Sequence, residues 1–246
     1  MKTLEQIQKI ENVILYVLQK FDDGVDYIKL FKIIYFAQRD YLCRFGKTLI
    51  PETFKARMHG PIPTLTDKVI KNVEDGVDDD FPDLKEFMES IKVIDQKVYA
   101  LREPNLDFIA KKERECLDKW FDYCKDRKSY DLSEESHDDV YHNVVARSKK
   151  DPQQDIMTNI DIAMSGHASD KMIEYIREKE LLVYFFSSSR TLSAVNSGFL
   201  NSNTSSSTCV QGFCELGAFV ESLKLFLSVL ARVNASASLP NFVTCS

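Results

Sequence analysis

The sequence contains no GxGxxG, no GxxxxGK[ST], no GxSxG and no HExxH pattern. The commonest nucleotide-binding, serine-hydrolase and zinc-protease machinery is therefore missing. The six cysteines (Cys43, Cys116, Cys124, Cys209, Cys214 and Cys245) form no CxxC pair. Their spacing fits neither a zinc site nor a compact disulfide framework, which points to a reducing cytoplasm. No run of eighteen apolar residues exists, which argues against a membrane-spanning helix. Glu5 and Glu11 interrupt the stretch where a signal peptide would be unbroken and apolar, so secretion by that route is not expected. Basic residues are in the minority, 32 against 38 acidic, giving a formal charge of −6. An acidic chain lacks the general positive surface that displaces counterions from nucleic acid, although a local basic patch stays open.

What is present is an ordinary soluble composition, 44% hydrophobic and 28% charged over 246 residues. That is enough for a sizeable core. The charge is unevenly spread: after Val183 the charged side chains are Arg190, Glu215, Glu221, Lys224 and Arg232. Serine runs at 187–189 and 205–207 accompany this step. We read residues 1–183 as the domain with chemical meaning and 184–246 as a Ser-rich, charge-poor tail. The tail reads as a linker (about 187–210) with a docking helix, as a divergent accessory segment, or as sequence never selected as protein.

Apolar spacing predicts helices over 4–20, 26–45, 64–72, 84–91, 107–126, from 131, over 156–163 and over 170–182. Gly24 is expected to stop the first, Asp26 and Thr64 to cap the second and third, and Gly46 to end the second. Residues 51–60 read as a short extended segment closed by His59-Gly60-Pro61-Ile62-Pro63, and 74–83 as a solvated acidic loop. Two alternating runs, 91–94 and 97–101, bracket Asp95-Gln96 and suggest a hairpin. The expected fold class is mainly α (α+β): a compact helical domain with a small antiparallel β element.

Several residues invite a chemical reading beside a bland one. His137 and His142 lie five apart among Glu134, Glu135, Asp138 and Asp139, about 140° apart on a helix, which is poor for one metal. The bland reading is an acidic helix face with one satisfied histidine. His59 could act as a general base, or satisfy backbone groups at a rigid turn. Cys43, Cys116 and Cys124 lack a visible activating neighbour and read as small buried hydrophobes. Lys29, Lys32, Arg39, Arg44, Lys47, Lys55 and Arg57 form a basic stretch, either a nucleic-acid patch or the solvated face of a helix.

Three elements occur in order: Lys29-Leu30-Phe31-Lys32-Ile33-Ile34-Tyr35-Phe36-Ala37-Gln38, then Arg44-Phe45-Gly46-Lys47-Thr48-Leu49, then Ala56-Arg57-Met58-His59-Gly60-Pro61-Ile62-Pro63. A later Ser136-His137 is followed by Tyr141, where tryptophan is commoner. Together these resemble the Panacea domain, also called SocA-like or phage-associated GepA-like, over about residues 5–180. The resemblance implies an antitoxin rather than an enzyme, without a cofactor or catalytic residues. It implies direct binding and neutralisation of a cognate toxin, with presentation to a Clp-type protease in the SocA-like branch. Signature positions carried over are Tyr35, Arg57, His59, Gly60, Pro61, His137 and Tyr141, as partner contacts or as parts of the fold. Asp78-Asp79-Asp80 and Glu134-Glu135 with Asp138-Asp139 are candidate acidic contacts for a basic toxin. The alternatives are a small His-dependent enzyme and a DNA-associated regulator.

Overall fold

The computed structural model describes residues 2–77 and 82–183. The expected tail at 184–246 and Asp78-Asp79-Asp80 lie outside the described residues. The chain divides into two compact units, Met1–Ile173 and Glu174–Ser246. The described residues of the second unit, 174–183, are helical.

The first unit runs through α1 (Leu4–Leu18), β1 (Val25–Asp26), α2 (Tyr27–Phe45), β2 (Phe54–Arg57), β3 (Gly60–Pro63), α3 (Thr64–Asp75), α4 (Pro82–Glu89), β4 (Ile91–Ile94), β5 (Lys97–Ala100), α5 (Lys111–Cys124), α6 (Ser129–Glu135), α7 (Asp139–Ser148), β6 (Ile156–Met157) and α8 (Asn159–Ser165). Short 3-10 turns at Leu106–Phe108 and Pro152–Asp155 precede α5 and β6. The fold is mainly α, with two small antiparallel sheets ordered β1-β5-β4 and β3-β2-β6.

At the centre is α2. Leu30 through Gln38 are buried without interruption, because α5, α6, α8, α1 and β3 pack around that helix. A helix buried on all faces needs more than the one apolar stripe expected from sequence. The ends of α2 match expectation. Asp26 accepts from the Lys29 amide at 2.9 Å, and Gly46 closes the helix in the left-handed conformation at φ 59°. The Gln38 carboxamide oxygen, buried, accepts from the Leu49 and Ile50 amides at 2.9 and 3.1 Å and pins the chain leaving that end.

Other boundaries differ from expectation for identifiable reasons. α1 ends at Leu18 with a right-handed cap at Gln19, so Gly24 does not stop it; Gly24 lies instead against the Tyr99 ring. The extended segment at 51–60 is one arm of a hairpin, with Phe54 opposite Pro63 and Arg57 opposite Gly60. Pro61 and Pro63 are tolerated because β3 is an edge strand, where a missing amide breaks no ladder. The hairpin at 91–101 forms as expected; Asp95 and Gln96 both take positive φ, 50° and 61°, in place of the favoured glycine. The helix expected from Asp131 into His137 is two helices, α6 and α7, so His137 and His142 do not share one. Ile156 belongs to strand β6, and α8 starts at Asn159 with Thr158 as its cap. Of the acidic stretch 74–83, Glu74 and Asp75 finish α3 and Pro82 opens α4.

Thr64 is the first residue of α3 and does not cap it. That task falls to Glu52, which is remote in sequence. Its Oε1 accepts from the Leu65 amide at 2.9 Å, and its Oε2 from the Thr66 amide and hydroxyl at 3.4 and 3.1 Å. A carboxylate there answers both the orphan amides and the positive end of the helix dipole. Glu52→Ala is therefore expected to cost about 1–2 kcal/mol in urea unfolding, and Thr64→Ala a few tenths. Equal losses for the two variants would refute the assignment of the cap to Glu52.

Candidate functional site

Most of the basic stretch is engaged by neighbouring groups, while Lys47 is exposed. Arg44 pairs with Asp40 at 3.6 Å, and Lys55 and Arg57 pair with Asp155 at 3.2 and 2.9 Å. The Lys29 ammonium donates to the Lys125 carbonyl at 3.0 Å. Lys32 departs furthest from the solvated-face reading: it is 1% exposed, in the middle of α2. Its ammonium donates to the Pro61 carbonyl at 3.2 Å, and no carboxylate among the described residues pairs with it. Burial lowers its pKa to about 7.

Around Lys32 the signature residues assemble from elements far apart in sequence. Gly60, at φ 85°, starts β3 directly over the lysine. A Cβ on Gly60 would lie 2.2 Å from Ser136 Oγ and 2.5 Å from Lys32 Nζ. Only the missing side chain, together with glycine's access to that backbone region, lets the hairpin approach so closely. The Ser136 hydroxyl donates to the Ser133 carbonyl at 2.7 Å, which turns the end of α6. Next to it the His137 ring stacks on Tyr141, with centroids 4.4 Å apart and planes at 14°. The Tyr141 hydroxyl donates to the Arg57 carbonyl at 2.7 Å and ties α7 to the base of the hairpin.

The structure thus gathers Arg57, Gly60, Pro61, His137 and Tyr141 in one place. His59 is exposed at the hairpin turn, and its imidazole forms no backbone hydrogen bond among the described residues, contrary to the reading as a turn anchor. His137 is half-enclosed, and burial is the first cause holding its pKa below the usual histidine value. Its Nε2 is buried without a protein partner, while Nδ1 lies 3.5 Å from Glu134. The His137 and His142 rings are 6.3 Å apart. No group of three potential metal ligands occurs among the described residues.

Tyr35 belongs to a second group on α2. It is fully buried, its hydroxyl lies 2.9 Å from Ser165 Oγ, and burial is the main reason its pKa is pushed up to about 12. The Ser165 hydroxyl in turn donates to Asp138, whose other oxygen accepts from the Tyr141 amide at 2.9 Å. Asp138 is therefore the N-cap of α7 and the junction of three helices, which corrects its reading as a free acidic contact. Glu135 is likewise held, by Arg127 and the Tyr123 hydroxyl. Cys116 and Cys124 are buried with thiol pKa values of about 12, and Cys43 is half-buried with its own raised, as small hydrophobes should be.

In sequence Lys32 reads only as part of the basic stretch and first signature, and Ser136 only as part of the Ser-His pair; neither reads as a buried neighbour of the hairpin. The available signal was a lone charge inside the apolar run from Leu30 to Ala37. Trp120 and Ser165 give no comparable signal, and Arg39 reads only as part of the basic stretch, because only folding places the three together.

A helical platform whose signature residues bind one another, with a small hairpin clamped upon it, is the class these features define. Residues 30–140 match the family model described as antitoxin SocA-like, Panacea domain, and the resemblance read from the sequence holds over that stretch. No curated protein and no solved structure matches the chain. No helix among the described residues is long and apolar enough to cross a membrane.

The Lys32 cluster has two measurable consequences. Because the folded state holds a depressed pKa, the unfolded chain binds more protons between about pH 7 and the ordinary lysine value of 10.5. Stability should therefore rise with pH across that window, by at most about 1.4 kcal/mol per unit, and Lys32→Met should remove this increment. The difference between wild-type and variant urea curves at pH 7 and pH 9 measures it; parallel curves would show that the lysine is solvated. Gly60→Ala should cost about 1–3 kcal/mol from backbone conformation alone, and more from the clash, read as a lowered melting temperature.

Proposed function

We propose that this protein is an antitoxin that binds a cognate toxin polypeptide and neutralises it by covering the toxin's working surface, without bond-making of its own. The observation that carries this reading is the match of residues 30–140 to the SocA-like antitoxin family. The arrangement of the signature residues supports it. Lys32, Gly60, Pro61, His137 and Tyr141 are engaged with one another and with backbone, so their work is to hold the hairpin. From that clamped base the turn presents Met58, which is 78% exposed, and His59. A pre-ordered tip loses little conformational freedom on docking. The acidic net charge favours a basic toxin through long-range steering. In the cytoplasm, the same grip presents the toxin to a Clp-type protease.

The pairing within the basic stretch weakens the alternative of a DNA-associated regulator. The product of the neighbouring reading frame should arrest growth when expressed alone, and co-expression of the full chain should restore growth and give a co-purifying complex. A harmless neighbour, or rescue without a complex, would remove the antitoxin reading. Toxin abundance should fall when the chain is present in cells that have the Clp protease and hold steady in cells that lack it. Neutralisation with equal toxin abundance in both would delete the protease step.

A further inference from the structure

Beside the Tyr35–Ser165 group lies a recess of about 380 Å³, lined by side chains of α2, Trp120 of α5, and the facing ends of α6, α7 and α8. Its floor holds Arg39, whose side chain is 14% exposed. The guanidinium lies against the Phe36 and Trp120 rings, 4.7 and 5.8 Å from their centroids, so its orientation is set by packing. Five N–H donors project from that group. Its polar contacts are a long hydrogen bond to Ser165 Oγ at 3.5 Å, an approach to Asp138 at 3.9 Å and an interaction with the Tyr35 hydroxyl.

The other charges around the recess are already matched. Asp138 is held by closer donors, the Ser165 hydroxyl and the Tyr141 amide. Asp40 pairs with Lys119 at 3.2 Å, and Glu135 with Arg127. Trp120, which also lines the recess, carries an indole Nε1–H that is buried with no protein partner. Buried donors without acceptors are rare in folded proteins because each forfeits its hydration. Here one such donor, the Trp120 indole, shares a recess with a planar cation that is only weakly engaged, by a long hydrogen bond to Ser165, a 3.9 Å approach to Asp138 and the Tyr35 hydroxyl. Their complement is a planar anion that accepts two parallel hydrogen bonds.

We propose that this recess receives an aspartate or glutamate side chain of the toxin, with Arg39 as the fork that grips it and Trp120 as a second donor; the inference rests on the antitoxin reading. A polypeptide source is favoured by what surrounds the recess. Trp120 continues onto the surface through Tyr123, ring centroids 5.2 Å apart, and the Arg127 guanidinium lies 4.6 Å from the Tyr123 centroid. A row of tryptophan, tyrosine and arginine is the composition of interface anchor points, and it reaches beyond what a small ligand would cover. The overall negative charge steers a basic partner, while this recess selects one acidic residue within it, which gives register to an otherwise general attraction.

The chain contains a single tryptophan, so its indole N–H resonance reports on the recess alone. In the ¹⁵N-labelled full chain, adding the purified toxin should shift that resonance. Arg39→Gln should weaken toxin binding about tenfold or more, and Trp120→Phe, which keeps a ring and deletes the donor, about three- to tenfold. Arg39→Lys, which keeps the charge and loses the fork, should not restore full affinity. Unaltered toxin affinity in both Arg39→Gln and Trp120→Phe would overturn this inference and leave the antitoxin reading standing. Should no toxin bind the wild-type chain, the antitoxin reading falls, and titration with sodium acetate against matched chloride decides the rest. A saturable indole shift that vanishes in Arg39→Gln would then reassign the recess to a free small carboxylate and overturn the polypeptide source, and no shift would end the proposal.

Discussion

The hairpin of β2 and β3 sits where it does because a lysine is buried beneath it. Lys32 is the one charge in the most enclosed part of α2, and the Pro61 carbonyl is the acceptor that makes its burial tolerable. A buried amine with one neutral acceptor remains costly to protonate, which is why its pKa falls so far. That cost is offset by what the contact organises. Gly60 can come down onto the ammonium, Ser136 turns α6 away beside it, and His137 stacks on the tyrosine that holds Arg57. Remove the lysine's partner and the hairpin, α6 and α7 lose their common reference point.

The second group repeats this logic with hydroxyls and a carboxylate. Tyr35, Ser165 and Asp138 link α2, α8 and the start of α7 in one line of hydrogen bonds, on the same central helix. The contacts Lys32–Pro61, Tyr141–Arg57, Tyr35–Ser165 and Ser165–Asp138 each join different elements, so neither cluster survives as a unit if one element shifts. A surface held in this way suits recognition of another polypeptide, since its geometry is settled before the partner arrives. Arg39 differs from its neighbours in being held against the Phe36 and Trp120 rings, with a long hydrogen bond to Ser165, a 3.9 Å approach to Asp138 and the Tyr35 hydroxyl besides.

Much of the local structure was legible in the sequence. Asp26 and Gly46 mark the ends of α2, the runs flanking Asp95-Gln96 give the β4–β5 hairpin, and the buried cysteines accord with helical spacing. The signature motifs are equally local and were readable as motifs. Less legible were features that depend on a remote partner. The cap on α3 comes from Glu52 across the hairpin, and Ile156 becomes a strand only because Lys55 offers it an edge. The Met58-His59 turn was hidden by prolines that usually argue against a strand; edge position removes the objection.

Sequence alone determined the helical periodicity, the turns and the family signature, because these depend on contacts within a few residues of chain. In sequence Lys32 reads as part of a basic patch or of a solvated helix face, although a lone lysine on a helix looks the same facing water or core. Tertiary structure decided that, and with it the gathering of Gly60, Ser136, His137 and Tyr141 around one ammonium group and the setting of Arg39 between rings. The physical reason is that burial is a property of what packs against a residue, and five elements from across the chain must close upon α2 before any of its side chains is inside.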